Sequence, residues 1–233
     1  MFLISRHRLA LSSLALAALT ACGGGSSDPA TPAATEAATA TETAALTCIQ
    51  PAYPSTGYSQ VFKGCDAANV ATYYAKDECV RDNVSGLIWQ GQTAAGTTIR
   101  SNDEYKTNLD STTELQKRYY TTPQFSVPTD EEVNSKGNSI GFKNAINASK
   151  LCGSGAWRLP TKDELLGIVK INKTLPSIDT DWFPNTPRNG FYWSASPYEG
   201  YAYFAWGVSF NYGNANYDSR VNRSDNKLVR LVR

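Results

Sequence analysis

Residues 191–217 hold 11 of the 26 aromatic residues in the chain. Tyr198, Tyr201, Tyr203, Tyr212 and Tyr217 interleave with Asn211, Asn214, Asn216 and Asn222, and Arg220 and Arg223 end the run. Tyrosine supplies rigid contact area and asparagine adaptable hydrogen bonds, a mix used by protein binding loops. Aromatic faces also stack on sugar rings, while a guanidinium fork matches sulfate or carboxylate. The stretch reads as a ligand-binding surface for a glycan, sulfated glycans included, or for a protein. Against this, a folded domain turns about half of such aromatics inward and uses asparagines in turns. A second group, Asp179, Asp181 and Asn185, could place three oxygens around calcium. Its spacing is not that of an EF-hand loop, and Asx turns account for the same residues more simply.

Catalytic chemistry has little to draw on. The single histidine is His7, inside a segment that reads as an export signal. Without it the chain has no His–Ser or His–Cys pair and no histidine metal ligand. The adjacent carboxylates Asp163/Glu164 and Glu131/Glu132 fall on helix starts or solvated loops, whereas acid–base work needs carboxylates that converge from distant segments. The expectation is a protein that is not an enzyme, has no catalytic residues and carries no cofactor, calcium at the aspartate pair being the one candidate.

The elements that must carry these residues begin with a leader. Arg6 and Arg8 precede an apolar run from Leu9 to Leu19, too short for the roughly 20 residues of a spanning helix but suited to a signal peptide. The run ends in Leu19-Thr20-Ala21-Cys22, which resembles the lipobox of bacterial lipoproteins. That resemblance implies cleavage after residue 21, acylation (palmitate among the chains) at Cys22, and, with Gly23 next, an outer-membrane anchor. Loss of Arg6 and Arg8 would turn a formal charge of +1 into −1, so no basic footprint argues for nucleic acid. Gly23 to Thr47 is Gly, Ser, Ala, Thr and Pro with three acidic residues, a composition that cannot offset the entropy of ordering. As a disordered tether it would give a reach of about 25–30 Å.

Four cysteines remain: Cys48, Cys65, Cys79 and Cys152. An even number in an exported chain implies two disulfides, for which three connectivities are open; the preferred one joins Cys48 to Cys65 and Cys79 to Cys152. The absence of a C-x-x-C spacing argues against a metal site. Residues 92–138 are polar and poorly periodic and read as a long insertion with short elements. Phe142, Ala145, Ile146 and Ser149 mark one face of a helix. A second helix starts at the capping box Thr161-Lys-Asp-Glu164 and continues with the apolar stripe Leu165, Ile168, Val169. Phe204, Trp206, Val208 and Phe210 then alternate with smaller residues, as in a strand with one buried face. Asn211-Tyr-Gly-Asn214 supplies turn chemistry, and Lys227–Arg233 reads as a closing strand. The fold class is α+β, with two helices and a mostly antiparallel twisted sheet.

Several blocks together resemble the Lcl C-terminal domain family, named for Legionella collagen-like proteins. They are Cys79-Val-Arg-Asp-Asn-Val-Ser-Gly-Leu-Ile-Trp89, Leu151-Cys-Gly153, Trp157-Arg-Leu-Pro-Thr161, Ile178-Asp-Thr-Asp-Trp-Phe-Pro-Asn185, Tyr192-Trp-Ser194 and Val229-Arg-Leu-Val-Arg233. The resemblance covers about 79–233, without residues 48–78 or the 92–138 insertion. It favours pairing Cys79 with Cys152 and implies a variant of the C-type lectin fold. It also implies an adhesin-like role, since some relatives bind sulfated glycosaminoglycans. The Glu-Pro-Asn and Trp-Asn-Asp signatures of sugar-binding C-type lectins are missing. Arg158-Leu-Pro-Thr161 is also similar to part of the formylglycine-generating enzymes, but their reactive cysteine pair has no counterpart.

The organisation expected is thus a signal peptide at 1–21, a lipidated cysteine and tether at 22–47, and a lectin-like domain at 48–233. The function expected is that of an envelope lipoprotein displaying a binding domain as adhesin or receptor. A structural or oligomerising envelope module, including a homo-oligomer, is the alternative. The Asn/Tyr-rich end also resembles the diversified targets of retroelement systems, which supplies a lesser one.

Overall fold

The last seven residues, Lys227-Leu-Val-Arg-Leu-Val-Arg233, alternate side chains in a way that suits a strand buried on both faces. The computed structural model describes residues 48–121, 123–171, 175–211 and 218–233. The expected signal segment, Cys22, the expected tether and residues 212–217 lie outside them. Within the described domain this C-terminal segment runs extended between two antiparallel three-stranded sheets. One has the order β1 (Tyr58–Gln60), β4 (Cys79–Asp82), β5 (Ile88–Gln90). The other has the order β10 (Asp218–Asn222), β9 (Phe204–Ser209), β8 (Phe191–Pro197). Ile88 and Arg233 exchange backbone hydrogen bonds of 2.9 and 3.0 Å, Gln90 N donates to Leu231 O at 2.9 Å, and Leu228 N donates to Phe191 O at 2.9 Å. The segment therefore seams the two sheets into one layer. Lys227 also pairs with Lys106, and Val232 with Arg158. Because it bonds to four separate stretches, the expected closing strand is a chain of bridges, not a regular ladder.

Two cores lie on opposite faces of this layer. Leu228 and Val232 join Val80, Trp89, Tyr192 and Val208 in the first, beneath α3 (Lys162–Gly167), which contributes Leu165. Val229 and Leu231 join Trp193, Ala205 and Trp157 in the second, against α2 (Ser139–Ala148), which contributes Phe142 and Ile146. Successive residues of an extended chain point to opposite faces, so each inner strand feeds both cores. This corrects the expectation of one buried face for β9. Ala205 and Gly207 are buried on one side, Val208 and Phe210 on the other, and only Phe204 and Trp206 are half-exposed.

Arg230 alternates with Leu228 and Val232, and it too is fully buried on the first core. Its Nη1 donates to Gln90 O at 3.0 Å, and its Nη2 donates to Gln92 Oε1 at 2.8 Å and to Thr186 Oγ1 at 2.9 Å. The guanidinium carbon lies 5.0 Å from the Phe183 ring centroid and 5.4 Å from that of Tyr192. The Tyr192 hydroxyl shares Gln92 Oε1 as acceptor.

Both expected helices are present, but α3 ends at Gly167, so Ile168 and Val169 of the expected stripe follow it, and Ser149 is the exposed C-cap of α2. Thr161 and Glu164 form a reciprocal capping box at α3, and Phe142 and Ile146 carry the buried face of α2. A third helix, α1 (Asp130–Asn134), starts at a capping box of its own, Thr129 with Glu132. The remaining strands make two hairpins, β2 (Phe62–Cys65) with β3 (Ala71–Tyr73) and β6 (Lys117–Arg118) with β7 (Phe125–Ser126). The mixed α+β class stands, with three α-helices instead of two and four small antiparallel sheets instead of one among the described residues.

The polar 92–138 segment packs by hydrogen bonding more than by apolar contact. Buried Asn138 binds Leu109 N and O, each at 2.8 Å, and donates to Val133 O at 2.7 Å. Buried Asn108 donates to Ser194 O at 3.1 Å and accepts from Ser139 Oγ at 2.6 Å. The preferred disulfides are both present, Cys48–Cys65 and Cys79–Cys152. The second lies within the second core.

Arg230→Met removes the donors that Gln90 O and Thr186 accept and leaves the linear side chain between two rings. Urea unfolding should show a loss of about 3 kcal/mol. A loss below about 0.5 kcal/mol would mean that the buried cation does not organise the layer.

Candidate ligand-binding face

The parity that buries Val208 and Phe210 puts Trp206 and Phe204 on the same side of β9, beyond the reach of the first core. The β8 register shifts between Trp193 and Pro197, where Ala195 N donates to Pro160 O at 2.7 Å, and the loop 198–203 folds back beyond Pro197. Gly200 takes φ +78° in the turn, a left-handed conformation natural to glycine. Tyr198, Tyr201, Tyr203, Phe204 and Trp206 meet here. Centroid separations run from 4.7 Å for Tyr203–Phe204 to 5.1 Å for Tyr198–Trp206 and 5.7 Å for Tyr201–Tyr203. On its far side Tyr203 stacks against Phe125 of β7 at 4.2 Å. Pro197, Tyr198, Glu199, Tyr201 and Trp206 line an open cleft of about 530 Å³.

Two cations sit over these rings. Arg220, exposed and paired in register with Trp206 across β9–β10, carries its guanidinium 5.1 Å from the Phe204 centroid and 5.6 Å from that of Tyr198. Lys162, the first residue of α3, holds Nζ 4.6 Å from the Trp206 ring. Asn222, beside Phe204 in register, keeps Oδ1 buried with no protein partner among the described residues, an acceptor on the same side of β10 as Arg220.

The sequence candidates thus divide. Tyr198, Tyr201, Tyr203, Arg220 and Asn222 come together on one face. Asn211 follows Phe210 at the opposite end of β9, with its amide on Ser209 Oγ, and takes no part in the cluster. Tyr212, Asn214, Asn216 and Tyr217 lie outside the described residues. Arg223 requires correction as a ligand donor, because it is 3% exposed. Its Nε donates to Ala202 O at 2.9 Å and its Nη1 to Asn108 O at 2.8 Å, and it pairs with Asp110 at 2.8 Å. Burial draws its pKa below the usual guanidinium value, opposed by Asp110. Arg223 therefore fastens the tyrosine loop to the 108–110 segment from beneath.

Asp179 and Asp181 share a local turn, while Asn185 reaches across the fold. Asp179 Oδ1 accepts from Asp181 N at 3.3 Å, and Asn185, with φ +60°, donates from Nδ2 to Gln92 O at 3.0 Å. Among the described residues there is no cluster of three or more His, Cys, Asp or Glu that could hold a metal. Sequence reasoning missed Lys162, Phe125 and Glu199. Lys162 is placed by its helix, whose first amide donates to Ser196 Oγ at 3.0 Å, and no local pattern signals that.

These features define an α+β domain with an open aromatic face edged by cations. The chain belongs to the Lcl C-terminal domain family, whose family model matches residues 78–233. The match takes in the 92–138 insertion that the block-by-block resemblance leaves out. Comparison with curated proteins and with solved structures gives no match.

Glu164 sets the first turn of α3 and hence Lys162. Its carboxylate accepts from Arg158 at 2.8 and 2.6 Å and from Thr161 N at 2.7 Å, and these contacts, Arg158 first, lower its pKa below 4.5. A depressed carboxylate contributes stability above its unfolded pKa, and that contribution is lost as pH falls through the folded value. Thermal stability should therefore be insensitive to this group from pH 7 to about 4.5 and fall below that. Glu164→Gln should flatten the acid limb and cost about 1 kcal/mol at pH 7. An unchanged acid limb in that variant would show that the cap does not hold α3.

Proposed function

We propose that this domain is a non-catalytic binding module whose Tyr198–Trp206 face takes up a glycan bearing sulfate or carboxylate groups. The observation that carries the reading is the open cleft where Tyr198, Tyr201 and Trp206 meet beneath the cations of Arg220 and Lys162. The C–H face of a pyranose stacks on such rings, and an acidic substituent satisfies the guanidinium fork better than any neutral group. Family membership supports a binding role, and the block resemblance supports a lectin-like variant fold. The lipobox-like Cys22 and the tether support display from the bacterial outer membrane, with the face free of the lipid surface. A protein ligand is the second reading, favoured by the continuous ring surface from Tyr201 through Tyr203 to Phe125.

The test is an array of sulfated, uronic-acid and neutral glycans probed with a Cys22→Ala form of the protein, with and without EDTA. Acidic glycans should be retained over neutral ones, and EDTA should leave binding unchanged. Tyr201→Ala and Arg220→Ala, both at exposed positions, should each weaken binding about tenfold with unaltered melting. Retention of neutral glycans alone, or indifference to both substitutions, would contradict the assignment. Absence of any glycan binding would move the ligand to a protein.

A further inference from the structure

The insertion makes a cleft of its own, apart from the aromatic face. Hairpin β6–β7, helix α1, the turn through Leu109 and residue Ser224 surround about 460 Å³. Leu109 is buried and supplies an apolar contact. Four charged side chains line the space: Lys117, Arg118, Glu131 and Glu132.

Two of the four are committed to each other. Lys117 Nζ lies 2.5 Å from Glu132 Oε1. This contact raises the lysine pKa and lowers that of the glutamate, so both stay charged and neutralise one another. Glu132 is further held by the Thr129 amide at 2.8 Å in the α1 capping box. The other two are not committed. Glu131, exposed on the first turn of α1, has no hydrogen bond or ion pair among the described residues. Arg118 keeps Nε buried without a partner among the described residues, and its guanidinium carbon stands 5.4 Å from the ring of Tyr120, which is 91% exposed. The backbone that carries Arg118 is fixed, because its amide donates to Ser224 Oγ at 2.8 Å and the residue pairs with Phe125 across the hairpin.

The cleft thus presents one uncommitted cation, one uncommitted anion and an apolar contact, with no net charge to attract a polyanion. The Arg118 guanidinium makes no hydrogen bond or ion pair among the described residues, and its fork is matched best by a carboxylate. We propose that this cleft binds a small zwitterion of the amino-acid or short-peptide class. The ligand carboxylate meets the Arg118 guanidinium, its ammonium meets Glu131, and its aliphatic part rests against Leu109. Recognition requires both charges on one molecule, because either alone leaves the opposite protein group unmatched. The site is separate from the glycan face and stands or falls without it.

Glycyl-leucine is the probe, titrated into the folded protein and followed by calorimetry and by the NMR signals of Arg118 and Glu131. Free leucine distinguishes an amino-acid site from a peptide site. N-acetyl-glycyl-leucine lacks the ammonium, and glycyl-leucine amide lacks the carboxylate. The zwitterionic dipeptide or leucine should bind, and the analogue of whichever binds that lacks one charge should bind at least about tenfold more weakly. Glu131→Gln, at an exposed position, should remove the preference over the acetylated analogue, and Arg118→Gln the preference over the amide. Tyr201→Ala, on the other face, should leave dipeptide binding unchanged. Equal binding of capped and uncapped peptides, or no binding of either zwitterion to protein with native NMR dispersion, overturns the proposal.

Discussion

Burying a guanidinium costs several kcal/mol unless its donors are met, and the domain is arranged around one such group. Arg230 sits at the middle of the C-terminal segment and bonds to Gln90 O, Gln92 Oε1 and Thr186 Oγ1. Those acceptors come from the end of β5, the stretch after it and the turn before β8. Each must be in place before the charge can be buried, so the cation ties the two sheets and the 178–186 loop into one geometry. Phe183 and Tyr192 stand within cation–π range of it, and the residues that alternate with Arg230 fill both cores. The polar and apolar requirements of this segment are therefore satisfied by the same register, and a one-residue slip would break both.

The aromatic face inherits its rigidity from that arrangement. β8 and β9 are held to the seam through Leu228, and the second core pins Trp193 and Ala205 behind the cluster. The loop that carries Tyr198, Tyr201 and Tyr203 is fastened from below by buried Arg223. Cations thus have two uses a few residues apart. Arg223 and Arg230 are desolvated; Arg223 bonds through Nε and Nη1, and Arg230 through both Nη groups, its Nε being buried without a partner among the described residues. Arg220 stays at the surface, where its guanidinium lies over the faces of Phe204 and Tyr198. Holding the rings and the charge in advance lowers the ordering cost of binding.

Much of this was legible from residue types and spacing, where the signal is local. Thr161 and Glu164 announced α3, Phe142 and Ile146 announced α2, and the cysteines suggested the pairing found. Other parts depend on contacts far apart in sequence. The Thr129–Glu132 box has the same spacing as Thr161–Glu164, but only Val133 is buried behind it, so no apolar stripe drew attention to a helix there. The 92–138 stretch looked like a loose insertion because Asn108, Gln116 and Asn138 are buried by hydrogen bonding, which hydrophobic periodicity does not register. Arg220 and Arg223 are indistinguishable by type. Strand alternation separates them only once β10 is known, since Val221 and Arg223 then share the inward side. Lys162 reaches Trp206 across 44 positions, and no pattern within either segment predicts that meeting.

The central claim is that the seven C-terminal residues hold the layer together and thereby preorganise the face. Native-state hydrogen exchange tests this most directly, through the amides of Ile88, Gln90, Leu228, Val232 and Arg233. If the segment is the seam, these amides exchange only with global unfolding and report the same free energy as Phe142 of α2 in the second core, whose amide donates to Asn138 O. Exchange of residues 228–233 through a low-energy local opening, with Phe142 still protected, would contradict the account and leave the two sheets to cohere by some other means.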